Sequence, residues 1–426
     1  MFPGFPSLSF SNPSIGIFSI EFDLYLITSQ THHFFPFPFI LCKFISNTQN
    51  SYFHLKKKTM EHPRILFSGS LISFAVITAT FACSNGQCKL GDECSSDADC
   101  QTGLSCFSCS EAFDGLRCIR STTTNQFEFM NSLPFNRYAY LTTHNSVANE
   151  VEPLHTGIRL TFLNQEDNVT QQLNNGVRAL MLDTYDFKGD IWLCHSFGGR
   201  CHDYTAFWLA IDTLKEVEAF LSGNPSEIVT LFLEDYVETP NGLSKVFKDA
   251  GLMKYWFPVS SMPQNGQDWP LVKDMVASNQ RFVVFTSAKS KQESEGIAYQ
   301  WNYVVENHYG DVGEHPGECS NRGESAPLND KTKSLVLINH FHSIAFKVMA
   351  CEDNSASLIS MLDTCHGRSG NRWANFVAVD YYKRSDGGGV FQAVDKLNGQ
   401  LLCGCDDVHS CVPGSSSATC SATKDQ

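Results

Sequence analysis

Short apolar runs, alternating with amphipathic helical stretches and ending on polar residues, constrain the fold of this chain more than any other feature. Eight such runs lie in its central part: Tyr138–Thr142, Val177–Asp183, Ile191–His195, Ile228–Glu234, Arg281–Thr286, Trp301–Val305, Ser334–His340 and Phe376–Asp380. Each has the length and the β-branched or aromatic content of a buried strand. Helical patterns intervene. Ala210, Ile211, Leu214, Val217, Phe220 and Leu221 form an apolar stripe against Asp212, Lys215, Glu216 and Glu218, and Gly223-Asn224-Pro225 stops that helix. Leu243, Val246, Phe247 and Ala250 form a second stripe. Strand–helix alternation with about eight strands predicts a closed α/β barrel. One junction departs from the ideal. Asp186-Phe187-Lys188-Gly189-Asp190 is too short for a helical crossover, so the barrel is irregular there or its flanking runs form a hairpin. The expected fold class is α/β, an irregular TIM-type (β/α)8 barrel with a small disulfide-rich N-terminal module.

With 426 residues, the chain can hold one large domain plus appendages. Its net charge of −14 argues against nucleic-acid binding and against broad attraction to an anionic membrane. An anionic substrate in a locally basic pocket stays compatible with it. The 17 cysteines cluster: Cys88 to Cys118, Cys194 with Cys201, and Cys403 to Cys420. Such clusters read as disulfides made in an oxidising compartment. A zinc module is the competing reading, but Cys106-Phe107-Ser108-Cys109 has no second pair at zinc-ligand spacing. The Cys194–Cys201 spacing suggests a bridge that stiffens the His195 loop.

The expected organisation has five parts. Residues 1–59 read as a spurious or unstructured extension. Residues 60–84 form a signal peptide from Met60, with the apolar stretch Ile65–Phe81 and cleavage near Ser84–Asn85. A Cys-rich module covers 85–118, the barrel 133–400, and a Cys/Ser-rich tail 401–426. That mature chain holds fifteen cysteines, an odd number, so one is expected to stay free or to bridge to another chain. No hydrophobic tail for a GPI signal follows Cys420. The protein is therefore expected to be secreted, with one glycosylation sequon at Asn168-Val169-Thr170.

Three runs place notable polar groups at their ends. His144 follows the first, in Thr142-Thr143-His144-Asn145-Ser146. Asp183 closes Gly176-Val177-Arg178 through Leu182. His195 closes Ile191-Trp192-Leu193-Cys194. In a barrel, the C-terminal strand ends gather on one rim, where active sites are built. A lone histidine is more often a satisfied core or surface residue. Two at strand ends suit acid–base chemistry near neutral pH. Arg178 begins a buried run and is expected in a salt bridge rather than on phosphate. His340 and His342, in Asn339-His340-Phe341-His342, end the seventh run without recognisable metal-ligand spacing.

Four motifs in order, Thr143-His144-Asn145-Ser146, Gly176-Val177-Arg178 through Asp183, Cys194-His195-Ser196 and Phe232-Leu233-Glu234-Asp235, resemble the X domain of phosphatidylinositol-specific phospholipase C. The resemblance covers roughly residues 133–385. The Cys-rich prefix and Asp380-Tyr381-Tyr382-Lys383-Arg384-Ser385-Asp386-Gly387-Gly388 are similar to secreted plant members of that family. It implies cleavage of an inositol-phospholipid-like phosphodiester through a cyclic phosphate. His144 is then the general base and His195 the general acid. It also puts Asn145, Asp183 and Glu234 on calcium-ligand positions, oxygen donors of the kind Ca²⁺ prefers. Met181 stands where a further acidic residue is expected, so the calcium site is weakened. Failing calcium, Asp183 and Glu234 orient the histidines. Lys289, Asp380 and Tyr382 are the expected substrate-binding residues, on phosphate, inositol hydroxyls and sugar face respectively; Asp380 could instead support a histidine.

Two other readings compete. A glycerophosphodiester-type phosphodiesterase also uses two histidines on a barrel, but favours His-Arg-Gly after the first strand, unlike His144-Asn145. Alternatively, the barrel has weak or no activity and serves as a secreted cell-surface or cell-wall interaction protein, a reading that Met181 and the Cys-rich prefix favour. The expected partner is a phospholipid or other phosphodiester. Peripheral membrane contact would be made by the barrel rim, and no protein partner is implied.

Overall fold

A computed structural model describes residues 83–109, 115–120, 124–196, 198–386, 388–412 and 420. The expected extension and nearly all of the expected signal peptide lie outside the described residues. Three short strands, β1 (Glu93–Cys94), β2 (Leu104–Phe107) and β3 (Leu116–Arg120), form an antiparallel sheet in the Cys-rich module. Cys83–Cys88, Cys94–Cys106 and Cys100–Cys118 staple it, in place of the apolar core that so short a segment lacks. Cys83 therefore belongs to the module. Cleavage at Ser84–Asn85 would strip Cys88 of its partner, and counting Cys83 makes sixteen cysteines, all paired in eight bridges. Cys109–Cys351 ties the module to the barrel across 242 residues of sequence.

A short α1 (Gln126–Phe129) leads into the barrel. Its strands and helices follow in order: β4 (Tyr140–Thr143), α2 (Val169–Asn174), β5 (Ala179–Phe187), β6 (Asp190–Cys194), β7 (Ala206–Leu209), α3 (Ala210–Gly223), β8 (Val229–Tyr236), α4 (Gly242–Asp249), α5 (Val272–Ala277), β9 (Phe282–Thr286), α6 (Lys291–Ser294), β10 (Ala298–Tyr299), β11 (Val304–Glu306), β12 (Leu335–His340), α7 (Lys347–Glu352), α8 (Leu358–Arg368), β13 (Phe376–Val379) and α9 (Gly389–Cys403). Eight parallel strands run in the order β10-β9-β8-β5-β4-β13-β12-β11, which is chain order taken cyclically. The ladder is open only between β10 and β11, which a single 3-10 turn over Gln300–Asn302 joins directly.

Two strand expectations need correction. Ile191–His195 is not a barrel stave. It is β6, antiparallel to β5 through Thr184↔Leu193, with β7 beside it. The two-residue link, Lys188-Gly189, allows only a hairpin. The eighth stave is supplied instead by Ala298–Tyr299, too short to stand out in the sequence, and the run at Trp301–Val305 is a turn followed by β11.

Side chains alternate across the sheet with period two. Along β8, Val229, Leu231 and Leu233 pack outward with Leu214 and Val217 of α3, while Phe232 packs inward with Tyr140, Phe285 and Phe376. Both expected amphipathic stripes bury their apolar faces in α3 and α4. At the base of the barrel Arg178 forms the expected salt bridge, 2.7 Å from Glu227.

Candidate active site

The C-terminal ends of the parallel strands surround a cavity of about 80 Å³. Its lining includes His144, Asn145, Met181, Asp183, Glu234, Arg322 and Phe341. The expected base and all three expected calcium ligands are therefore brought to one place.

His144 is pinned by its backbone first. Its N–H donates to the Val379 carbonyl and its carbonyl accepts from Gln165 Nε2. The imidazole Nδ1 lies 2.9 Å from Asp380 Oδ1, which also accepts from Asn164 Nδ2 at 3.0 Å. A carboxylate can only accept, so Nδ1 carries the proton and Nε2 is left as the basic atom. Asp380 thus supports the histidine, the second of its two expected roles. Phe341 stacks on the ring at 3.7 Å between centroids, with planes 7° apart. The residues after each partner, Asn145 and Tyr381, both have φ of +44°. Asparagine tolerates that region; a tyrosine there is strained, as backbones at functional sites often are.

His195 does not line the cavity, but a detour of the chain brings it near enough to feel the charge of His144. The β5–β6 hairpin carries the chain out and back, so that β6 ends beside Thr184. Cys194–Cys201 closes the loop that follows, as expected. His195 Nδ1–H donates to the Phe162 carbonyl at 2.9 Å. Burial lowers its proton affinity, and the charge of nearby His144 lowers it further, while Asp380 and Glu234 act the other way.

Asp183 and Glu234 face each other across β5 and β8. Burial, then the Glu234 charge, pushes the Asp183 carboxyl well above its usual range, with Arg322 opposing. Two adjacent carboxylates with the buried Asn145 beside them form an oxygen-rich donor set that fits a hard divalent cation. Met181 adds a thioether where a third carboxylate would strengthen the set.

None of the three expected substrate contacts, Lys289, Asp380 and Tyr382, lines the cavity. Lys289 is exposed and outside its lining. Tyr382 is buried among core residues, and its hydroxyl donates to Asp167 at 2.5 Å and accepts from Asn175. The reversed φ at Tyr381 turns Tyr382 inward. Asn168 caps α2, accepting from the Gln171 N–H.

Sequence reasoning missed Arg322. It lies in the long β11–β12 connection, with Nη1 on Glu306 and Nε on Glu324, both at 3.0 Å. Its guanidinium lies over the Trp301 and Tyr309 rings. The acidic end of β11, Glu306, was a readable signal for it; the loop residue itself gave none.

The sequence profile of the PI-PLC X family (PI-PLC X 1) matches residues 135–398. A PI-PLC X domain-containing protein of Arabidopsis thaliana is 53% identical over 352 residues, 82% of each chain. An uncharacterized secreted protein of Arthroderma benhamiae is 26% identical over 253 residues, 55% of this chain and 56% of its own. Among solved structures, phosphatidylinositol-specific phospholipase C from Listeria monocytogenes matches with TM-score 0.42 and 14% identity, covering 61% of this chain and 94% of its own. A variant of the Staphylococcus aureus enzyme matches with TM-score 0.41 and 12% identity, covering 64% and 94%. The barrel assignment rests on the strand order above, not on those scores.

Proposed function

The chain belongs to the PI-PLC X family, and we propose that it is a phosphoric diester hydrolase of phospholipase C type, acting on inositol phospholipids or their glycosylated relatives. The observation that carries this reading is His144, oriented by Asp380 at a cavity that Asn145, Asp183 and Glu234 also line.

In this mechanism His144 Nε2 takes the proton of the ring hydroxyl beside the phosphorylated carbon. The freed oxygen attacks phosphorus; being already in reach, it needs little further ordering. The bond to the lipid alcohol breaks, and His195 protonates the departing oxygen. The phosphate charge raises the proton affinity that burial has lowered, so the acid form is gained as substrate arrives. Water reopens the cyclic phosphate with the two roles exchanged. Asn145, Asp183 and Glu234 would hold calcium, which when bound supplies positive charge to the phosphate oxygens.

A lipid substrate is supported by the rim. Ile158 and Leu160, in the loop after β4, are 72% and 69% exposed, and Val151 and Leu154 stand out beside them. Ile344 and Phe346, after β12, are also exposed, and Phe346 meets Phe162 edge-on. Apolar groups around a mouth suit partial insertion into a bilayer surface. No helix among the described residues is long and apolar enough to cross a membrane. Secretion, with glycosylation at Asn168, goes with this reading, and the eight disulfides support an oxidising compartment.

Met181 favours a second reading, a barrel without turnover that serves as a surface interaction protein. One assay separates the two: inositol-phosphate release from labelled phosphatidylinositol by the disulfide-intact protein, with and without a calcium chelator. His144→Ala and His195→Ala are each expected to lower turnover by about 10³-fold. Turnover that survives both substitutions sinks the acid–base assignment, and no turnover on any inositol lipid leaves the second reading.

A further inference from the structure

Phe341 and the two histidines beside it form a device of their own. Residues at the end of β12 alternate in direction. Asn339 and Phe341 line the mouth, whereas His340 and His342 engage groups outside its lining. His340 is buried; its Nε2–H donates to the Asp353 carbonyl at 2.9 Å and its Nδ1 lies 3.1 Å from Glu314 Oε2. His342 spans two carboxylates, Asp311 at 2.9 Å from Nδ1 and Asp353 at 3.3 Å from Nε2. Asp311 also accepts from the Ser343 N–H. The phenyl ring is thus fastened on both sides, to the β11–β12 loop through His342 and Asp311 and to the β12–β13 connection through both histidines and Asp353.

What the ring does follows from its neighbour. The Asp380 hydrogen bond fixes one direction of the His144 imidazole but leaves it free to rock about that bond. A flat surface at 3.7 Å and 7° removes the remaining freedom. We propose that Phe341 is a positioning residue that holds the plane of the His144 imidazole, and that His340 and His342, through Asp353 and Asp311, hold Phe341 in place. This rests on the catalytic role given to His144 above. It adds residues from a different strand, whose effect is on geometry and not on substrate contact.

The test compares Phe341→Leu, which keeps bulk but loses the flat face, with Phe341→Tyr, which keeps both, and adds His342→Gln, which keeps one hydrogen-bonding arm. Turnover of phosphatidylinositol in detergent micelles should show kcat about tenfold lower in Phe341→Leu with KM within about twofold. Phe341→Tyr should return close to wild type, and His342→Gln should fall between. A rise in KM alone would make Phe341 a substrate contact, and an equal loss in Phe341→Tyr would make it a packing residue; either overturns the proposal. A second readout needs no turnover. The His144 ring protons, identified by their loss in His144→Ala, should resonate upfield in the intact protein and move downfield in Phe341→Leu. Unmoved resonances overturn the positioning role. Shifted resonances in a protein without turnover leave it standing and sink only the catalytic reading.

Discussion

The two ends of the barrel are built to different rules. At the base, charges are matched. Arg178 meets Glu227 and the Leu173 and Val177 carbonyls; Arg281 donates to carbonyls of Leu221, Asn224 and Glu227; Arg120 bridges Asp395 and Asp407, with its Nε alone unmet. At the mouth they are not. Asp183 and Glu234 crowd each other, and buried Asp380 Oδ2, Glu314 Oε1, Asn164 Oδ1 and Gln165 Oε1 have no hydrogen-bond partner. Two residues there have reversed φ. One end is arranged for stability. The other keeps unmet polar groups and strain, which persist only where the surrounding packing over-determines them.

That contrast can be broken by exchange of effects. His144→Ala at the mouth should abolish turnover while leaving the melting temperature nearly unchanged. Arg178→Ala at the base should do the reverse, costing about 3 kcal/mol because Glu227 is left buried and unpaired. Denaturant midpoints measured beside turnover per folded molecule check both. A turnover loss in Arg178→Ala at full folding would erase the distinction.

A smaller effect concerns the rim. Ile158→Ser with Leu160→Ser should weaken partition onto phosphatidylinositol vesicles by roughly tenfold, since each side chain forfeits about half of a full burial. Activity on a soluble inositol phosphodiester should stay the same. Vesicle sedimentation reads the first, and unchanged partition would remove the rim from membrane contact.

The smallest effect is on stability against pH. Burial pushes Glu314 up to about 9 and His340 down to about 4. Folded Glu314 keeps a proton that the unfolded chain releases above about pH 4.5, so its contribution falls as pH rises toward 9. His340 works oppositely between about pH 4 and 6.5. The two cancel below 6.5, and a net loss remains from there to about 9. Glu314→Gln should remove it, gaining roughly 2–4 °C in melting temperature at pH 9 and little at pH 6. Parallel melting curves at both pH values would refute the buried, protonated carboxyl.

Much of the mouth was legible because strand ends are local features. His144, Asn145, Asp183 and Glu234 each close an apolar run, and in a parallel barrel all such ends share a rim. Residues placed by loops were not legible. Arg322 arrives from a long connection, Lys289 stays exposed because nothing folds over it, and Tyr382 turns inward on the reversed φ of Tyr381. The sequence makes the hairpin one of two possibilities, because a short link fixes what the strands cannot do but not where they go.

By itself, the sequence determined most of the barrel strands, the two amphipathic helices α3 and α4, the Cys194–Cys201 bridge, and which residues end on one rim of the barrel. Period and spacing act over a few residues, and those choices need no more. Only the tertiary structure decided that His144 meets Asp380, 236 residues away, that Phe341 lies flat on its ring, and that Cys109 reaches Cys351. Those contacts depend on closing the sheet, and closure is a property of all eight strands together that no one of them carries.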